Sequence, residues 1–416
     1  MTLGPAFTRL WLASGVSQFG TQVTVLALPL IALGRLGAGS VGVGALFAAS
    51  FLPYVVVGLP AGALVDRWDR RRVLLACDAA RAALLLAVPV AMVLGLLTLW
   101  LLIAVAALVG TATVFSEVAA SAVLPSLVPA EHLTTANARL ETTRAAALVA
   151  GPGLGGVLIR LAGAAPALVA DVASYVVSFA VLLGTPRTVP GTSDAEPVPG
   201  ARPSLRGEIA EGLRFVAGHA ILRVIVASYS LSVLFIGMYQ AMSILYMTSV
   251  VHLGSAEIGL VMGLGNLGFV LGALLSRRVA GWIGTGGAIV AALGLLAAGF
   301  LVSATAGGWW ALPCLVLGQL VSSLGTPIYN VNLITLRQTI TPSGLIGRVT
   351  AASRTLGRGL VPVGAMAGAG IATAAGPRAS VIAAGVGGLL ALLPMLVSPV
   401  PKMRAAGRPV AGGSQS

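Results

Sequence analysis

The sequence predicts an all-α polytopic membrane protein with twelve transmembrane helices, arranged as two pseudo-symmetric six-helix bundles. Only 9% of the 416 residues are charged and 57% are hydrophobic, whereas a soluble domain carries about 25% charged residues. Apolar stretches of about 20 residues, enough to cross a bilayer as a helix, recur along the whole chain. The segment Gly62–Arg72 has a degraded copy at Gly272–Arg278, 210 positions later (272 − 62 = 210). That spacing is half the chain, so two halves share one plan.

The predicted helices fall into two groups of six, separated by a polar linker. The first group lies at roughly 10–33, 41–65, 73–97, 99–123, 141–163 and 166–184, and the second at roughly 220–248, 256–283, 285–305, 309–333, 353–375 and 378–398. The second part of the linker has Leu205, Ile209 and Leu213 at helical spacing, which predicts an amphipathic helix on the membrane surface. The predicted domains are 1–184, 185–219 as the cytoplasmic linker, 220–398, and a disordered cytoplasmic tail at 399–416.

The arginines predict the orientation. The predicted outer side holds only Arg35, Arg160 and Arg378, and the other loops and tails hold most of the remaining arginines. Positive residues concentrate on the cytoplasmic side of membrane proteins. We therefore expect a multi-pass protein of the inner (plasma) membrane with both termini in the cytoplasm. The net charge of +13 follows from this rule, so no nucleic-acid partner is expected.

No cofactor, metal site or enzyme activity is predicted. The two cysteines, Cys77 and Cys314, lie in apolar segments, and His132, His219 and His252 are scattered. These positions give no metal-ligand spacing. No nucleophile–base set and no phosphate-binding glycine loop of the ATPase type is present.

The segment between predicted helices 2 and 3 resembles the loop motif of the major facilitator superfamily, Gly-x-x-x-Asp-Arg-x-x-Arg-Arg. The matching positions are Gly62, Asp66, Arg67, Arg70 and Arg71. The chain also looks like the drug:proton antiporter branch that includes macrolide-efflux and enterobactin-exporter proteins. That likeness involves Phe51–Pro53, Leu124–Pro129 with Asn137, Glu211–Phe215, Asn330–Asn332 and Arg337–Pro342. The resemblance implies the major facilitator fold and transport by alternating access.

A second motif lies in predicted helix 5 and resembles the antiporter motif Gly-x-x-x-Gly-Pro-x-x-Gly-Gly. Gly151, Pro152, Gly155 and Gly156 match it, and Ala147 replaces the first glycine. Proline kinks a helix, and glycines on one side let a neighbouring helix, here expected from the other half, approach closely. The alternative is that Gly and Pro are simply common in transmembrane helices. The resemblance implies export.

The loop motif predicts a conformational latch. Asp66 can accept hydrogen bonds from Arg70 or from the amino end of predicted helix 11, which carries partial positive charge. Such contacts would hold the two halves together on the cytoplasmic side. The alternative is a charge cluster that only sets orientation. Ser276 takes the place of the acid in the second half, so a weaker latch, or none, is expected there.

Ionisable residues within spans are costly and usually functional. Glu117 in predicted helix 4 is the first candidate, as a proton carrier, a cation-binding group or both; the alternative is a structural pair with an arginine such as Arg144. The other candidates for proton or substrate coupling are Asp78, Arg81, Glu141, Arg144 and Asp171. Asp78/Arg81 and Glu141/Arg144 are each three positions apart, which favours local structural ion pairs.

Polar residues on predicted helices 1, 7 and 10 are candidates for the central cavity. They are Gln18, Gln22, Tyr239, Gln240, Gln319 and Asn330. A large apolar cavity with few polar groups suits bulky amphipathic ligands. Each of these side chains could instead make a hydrogen bond between helices.

These observations predict a monomeric, proton-coupled exporter of a hydrophobic or amphipathic small molecule, such as a drug, an antibiotic or a secondary metabolite. One alternative is uptake or facilitated transport of a metabolite on the same fold. Another is a sensor or scaffold that transports nothing. The short linker and tail leave no room for a signalling domain, which disfavours the sensor.

Overall fold

The structure, a computed structural model, describes residues 3–65, 67–185, 214–341 and 346–403. Within these ranges the regular structure is helical and contains no strand. The helices are α1 (Pro5–Leu36), α2 (Ser40–Val56), α3 (Gly58–Val65), α4 (Arg70–Val93), α5 (Leu99–Leu127), α6 (Leu133–Ala162), α7 (Ala164–Leu183), α8 (Ala220–Ser249), α9 (Ser255–Ala304), α10 (Ala311–Ile340), α11 (Ile346–Ala375), α12 (Pro377–Leu390) and α13 (Leu393–Val397).

Contacts divide the chain into two compact units. The first unit contains the described residues of Met1–Val198 and Ala241–Gly263, and the second contains those of Pro199–Gln240 and Leu264–Ser416. Helices α8 and α9 thus contribute residues to both units. The predicted domain limits at 184 and 220 stay predictions, and the predicted linker helix around Leu205–Leu213 lies outside the described residues.

Nine helices in the described ranges are long and apolar enough to cross a membrane. Helix α9 has 50 residues and contains a kink at Gly284, whose φ of 80° is accessible to glycine at little cost. The two predicted spans 256–283 and 285–305 meet at this kink. The total of twelve spans stays a prediction.

Two predicted spans are interrupted by proline. The span predicted at 41–65 is divided into α2 and α3, because Pro60 has no N–H for the carbonyl of Val56 and its ring collides with that carbonyl. The span predicted at 378–398 is divided in the same way, with Pro394 four residues after Leu390. Uninterrupted helices were therefore the wrong expectation for these two spans, although Pro53, Pro125 and Pro152 lie inside continuous helices.

The cytoplasmic connections expected after helices 4 and 10 are shorter than predicted. Helix α5 continues through Pro125 to Leu127, and α6 already begins at Leu133. Helix α10 continues to Ile340 and includes Arg337. The added turns contain Pro125, Ser126 and several threonines, which are poor helix formers, so neither hydropathy nor helix propensity predicts them.

The helices of the first unit pack around α1, α4 and α7. Helix α1 contacts α6 and α7, α4 contacts α5 and α7, and α2 contacts α5. A cluster of buried apolar side chains, among them Phe7, Leu74, Val123 and Leu182, joins α1, α4, α5 and α7 near one end. This packing brings the ionisable residues of α4 and α7 together.

Candidate functional site

A buried ion pair lies at the centre of the first unit. Asp78 and Arg81, both on α4, are 2% and 7% exposed, and a guanidinium nitrogen of Arg81 lies 2.5 Å from Asp78 Oδ1. The other carboxylate oxygen accepts a hydrogen bond of 2.5 Å from Ser178 on α7. The pair therefore links two helices and is not only a contact within α4.

The Arg81 side chain extends this network to a third helix. It donates to Ser116 of α5 at 3.1 Å and to the carbonyl of Cys77 at 3.3 Å. Its guanidinium carbon also lies 4.4 Å from the ring centre of Tyr175 on α7. A cation over an aromatic face is stabilised electrostatically, so Arg81 is satisfied on several sides.

Asp171 forms the second buried acidic centre. It is fully buried and accepts hydrogen bonds from Thr24 of α1 and, at 2.9 Å, from Ser174. One turn along α7, the Tyr175 hydroxyl lies 2.9 Å from Thr21 Oγ1. A buried carboxylate needs such donors because burial without them is costly. Thr24 and Ser174, the partners of Asp171, and Thr21, the partner of Tyr175, are uncharged. Nothing in their sequence positions predicts these contacts.

Glu117 is placed differently from the buried acids Asp78 and Asp171. Its side chain is exposed, and Oε1 accepts a hydrogen bond of 2.9 Å from the Tyr54 hydroxyl of α2. Phe47 and Phe51 continue from Tyr54 along one side of α2, with ring centres 4.9 Å apart, and Phe51 lies 6.1 Å from Tyr54. The helical spacing of these aromatic residues was a signal that the sequence analysis did not use.

Arg144, the arginine suggested as an alternative ion-pair partner of Glu117, pairs with another acid. Arg144 lies 3.6 Å from Glu141 on the surface of α6, and the two side chains are 70% and 69% exposed. Glu141 and Arg144 thus form a local surface pair in the first half of the helix. Such a pair contributes little to stability.

The loop motif is only partly covered by the described residues, since Asp66 lies outside them. Gly62 lies in α3, where an added Cβ would meet no atom within 4 Å. Arg67 is exposed, and Arg70 is the first residue of α4. Asp69 caps α4 by accepting from the amides of Arg71, at 3.0 Å, and Arg72. An aspartate before a helix is a recognised capping signal, which the analysis of this motif did not use.

Arg71 of the same motif reaches the carboxyl end of α7. Its Nε donates to the carbonyl of Leu182 at 3.2 Å, and a terminal nitrogen donates to Leu183. Arg9 of α1 donates to the next carbonyl, Gly184. The last carbonyls of a helix lack partners within it and carry partial negative charge. The two guanidinium groups therefore cap the carboxyl end of α7.

The glycine motif forms a close helix contact inside the first unit. Gly151 and Gly155 face α1, where side-chain atoms of Gln22 and the backbone of Val23 leave no room for a larger residue. Gly156 faces the start of α9, where a Cβ would lie 3.0 Å from the Cα of Gly259. Pro152 is buried on the same side. Gln22 thus packs on Gly151.

Two candidates of the second unit, Tyr239 and Gln319, lie within hydrogen-bond distance of each other. The Tyr239 hydroxyl donates to Ser303 at 3.1 Å and lies 3.4 Å from Gln319, and its ring stacks on Phe300 at 4.0 Å. Gln240 and Asn330 are exposed, and in the first unit Gln18 is half-buried. A buried hydrogen bond that the sequence pattern did not predict joins Asn332 to Ser276, the counterpart of the motif acid, at 3.2 Å. The described ranges contain no cluster of three or more metal-binding side chains.

Two units of long apolar helices, the first of which holds buried charges among its own helices, define a polytopic membrane protein. The sequence pattern of the Major Facilitator Superfamily matches residues 10–362, so the chain belongs to this family. Its members are transporters and not enzymes, in agreement with the predicted class. The predicted all-α major facilitator fold is confirmed.

The chain is similar to drug efflux proteins and to solved carriers. It is 29% identical to the multidrug efflux pump Tap of Mycobacterium tuberculosis (strain ATCC 25618 / H37Rv) over 404 residues, covering 91% of this chain and 90% of Tap. It is 28% identical to macrolide efflux protein A of Streptococcus pyogenes over 155 residues, 36% of this chain and 37% of that protein.

Two solved structures share the fold. A bacterial homologue of the iron transporter ferroportin, solved in an inward-facing state, matches with a TM-score of 0.75 and 18% identity, over 95% of this chain and 99% of the other. The nucleoside transporter NupG matches with a TM-score of 0.76 and 12% identity, over 95% and 98%. At these identities the structural likeness concerns the fold alone.

Proposed function

We propose that this transporter is a proton-coupled exporter of a hydrophobic or amphipathic small molecule, working by alternating access in the inner membrane with both termini in the cytoplasm. The similarity to Tap and to macrolide efflux protein A supports export. The arginine distribution supports the orientation. One polypeptide holds both halves that alternating access requires, so the functional unit is a monomer.

Glu117 is the observation that supports this proposal most directly. It is a carboxylate within the apolar span α5, it is exposed, and it accepts a hydrogen bond from Tyr54 at one end of the aromatic row of α2. A carboxylate in a membrane span is costly unless it has a function. In the proposed cycle, an aromatic surface binds the apolar part of the substrate, and Glu117 exchanges a proton for its polar or cationic part.

Asp78, Arg81 and Asp171 have a different role in this proposal. Asp78 and Asp171 accept hydrogen bonds from serine and threonine hydroxyls, and Arg81 donates to Asp78 and Ser116, so these side chains link α1, α4, α5 and α7. Glu141 and Arg144 lie on the surface and take no part in coupling. The candidate polar residues Gln18, Tyr239, Gln240, Gln319 and Asn330 contribute to substrate specificity, and Gln22 contributes to packing on Gly151.

Transport by inside-out membrane vesicles with an imposed pH gradient tests the coupling role of Glu117. Vesicles with the wild-type chain should accumulate the fluorescent cation ethidium when their interior is acidic, and should stop when the gradient is collapsed. Glu117→Gln should abolish this accumulation, whereas the control Glu141→Gln should retain it. Full gradient-driven accumulation by Glu117→Gln would show that another acid carries the proton. If the vesicles released ethidium instead of accumulating it, the result would favour the alternative that the protein takes its substrate up into the cell.

The latch is a separate part of the proposal. Asp66 and the glycine face of α6 would set how fast the carrier changes between its two states. Asp66→Asn should leave the amount of folded protein unchanged and lower the rate of ethidium export. An unchanged rate would leave the loop motif with a role in orientation only.

A further inference from the structure

A groove of about 800 Å³ lies between α4 and α5, beside the loop that joins α3 to α4. Its apolar walls are formed by Val73, Ala76, Cys77, Ala80, Ala112 and Phe115. Ala76 and Ala80 are exposed, so the groove is open to the surroundings of the chain. Its volume is in the range of pockets that hold a small ligand.

The groove lies within the predicted thickness of the membrane. Helices α4 and α5 are both apolar enough to cross it. From Val73 to Ala80, α4 rises about 10 Å, and small alanine side chains leave this length of the surface recessed. An open, recessed apolar surface inside a bilayer is filled by acyl chains, because no water is available there.

The mouth of the groove carries positive charge. Arg67, Arg72 and Asp69 lie there, which gives a formal charge of +1 (2 − 1 = +1). Asp69 is engaged with the amides that begin α4 and lies 3.6 Å from Arg72, and its side chain is only 13% exposed. The Arg72 side chain is 70% exposed and Arg67 is exposed as well. The groups that face outward are therefore the two guanidinium groups.

An aromatic side chain marks the level at which polar headgroups begin. Trp68 lies between these charges, is 47% exposed, and stacks on Phe115 of the groove wall with ring centres 6.2 Å apart. Tryptophan is enriched where the hydrocarbon meets the headgroups, and arginines at this level attract anionic lipids. The order of the side chains, from charged through aromatic to apolar, matches that of a phospholipid.

We propose that this groove is a binding site for one anionic phospholipid, whose phosphate contacts Arg67 and Arg72 and whose acyl chain lies over Ala76 and Ala80. A zwitterionic lipid would place its own cation against the two arginines and bind less well. A transported cation would be repelled by the mouth. The proposal does not depend on the direction of transport or on proton coupling.

Native mass spectrometry of the full chain tests the site. The protein is taken from nanodiscs that contain equal amounts of phosphatidylglycerol and phosphatidylcholine, and the lipids that stay bound are counted. We expect one phosphatidylglycerol to be retained in preference. Arg67→Gln and Arg72→Gln should each lower its retention about fivefold, whereas Arg139→Gln, which removes an exposed arginine of α6, should not.

A second pair of variants tests the acyl groove without changing charge. Ala80→Phe fills the groove, while Ala79→Phe adds the same ring at the preceding position of α4, which is exposed and does not line the groove. Retention should fall only with Ala80→Phe. The proposal would be overturned if the two lipids were retained equally, or if the groove bound ethidium in place of lipid. It would also be overturned if Arg139→Gln or Ala79→Phe lowered the retention of phosphatidylglycerol as much as the variants of the groove do. If Ala80→Phe does not fold, the arginine variants decide alone.

Discussion

Ser178 donates a hydrogen bond of 2.5 Å to Asp78, although the two residues are 100 positions apart in the chain. The same carboxylate binds Arg81 with its other oxygen, and Arg81 reaches Ser116 on a further helix. One ion pair within α4 thus holds α5 and α7 in place. Three neighbouring spans depend on it.

Removal of Asp78 should therefore destabilise the protein strongly. Asp78→Ala leaves the Arg81 guanidinium buried without its counter-ion, and breaking a buried pair in this way costs about 3–5 kcal/mol. The free energy of unfolding, followed by SDS titration of the purified protein, measures the loss.

The surface pair of α6 offers the matched control. Glu141→Ala breaks an acid–arginine pair with the same spacing of three positions, but both side chains are about 70% exposed. We expect a change of about 0–1 kcal/mol. If Asp78→Ala and Glu141→Ala lowered the free energy of unfolding by similar amounts, burial would not make the α4 pair more important for stability than the surface pair.

The glycine face of α6 can be tested at two neighbouring positions. Gly156→Ala places a methyl group 3.0 Å from the Cα of Gly259 and should cost about 1–3 kcal/mol. An alanine at Gly153, where the nearest atom is 4.0 Å away, should be neutral or stabilise by up to about 1 kcal/mol through helix propensity. Thermal unfolding in detergent compares the two. Equal melting temperatures would contradict a close contact at Gly156.

Arg71 should contribute to stability through the end of α7. Arg71→Gln removes the guanidinium from the carbonyls of Leu182 and Leu183, and a hydrogen bond of a charged group is worth about 1.5–3 kcal/mol. Arg139→Gln changes the charge equally at an exposed position and should stay within about 0.5 kcal/mol. Hydrogen exchange of the last turn of α7 should rise in Arg71→Gln only. Unchanged protection there would exclude the cap.

Tyr54 should affect transport more than stability. Tyr54→Phe keeps the aromatic row and removes the hydrogen bond to Glu117, which is worth about 0.5–1.5 kcal/mol. The initial rate of ethidium accumulation should change between about two- and twelvefold, with an altered pH dependence. Tyr229→Phe in the second unit serves as control. If the rate of ethidium accumulation in Tyr54→Phe depended on pH as in the wild type, the hydrogen bond from Tyr54 would have no influence on the function of Glu117.

The order and approximate position of the helices could be predicted from hydropathy, and the family from the motif around Arg67. The breaks at Pro60 and Pro394 were only partly predictable, because a proline removes the hydrogen bond to the carbonyl four residues before it, yet Pro53, Pro125 and Pro152 lie inside continuous helices. The partners of the buried charges were not. Ser178 and Thr24 are ordinary small polar residues in apolar helices, and only the packing of α1, α4 and α7 gives them a charged neighbour.

Arg9 and Arg71 hold the final turn of α7 from two different helices. To unwind from this end, α7 must first break its hydrogen bonds to both guanidinium groups. Fraying at the end of α7 is therefore coupled to the amino-terminal parts of α1 and α4, where Arg9 and Arg71 lie.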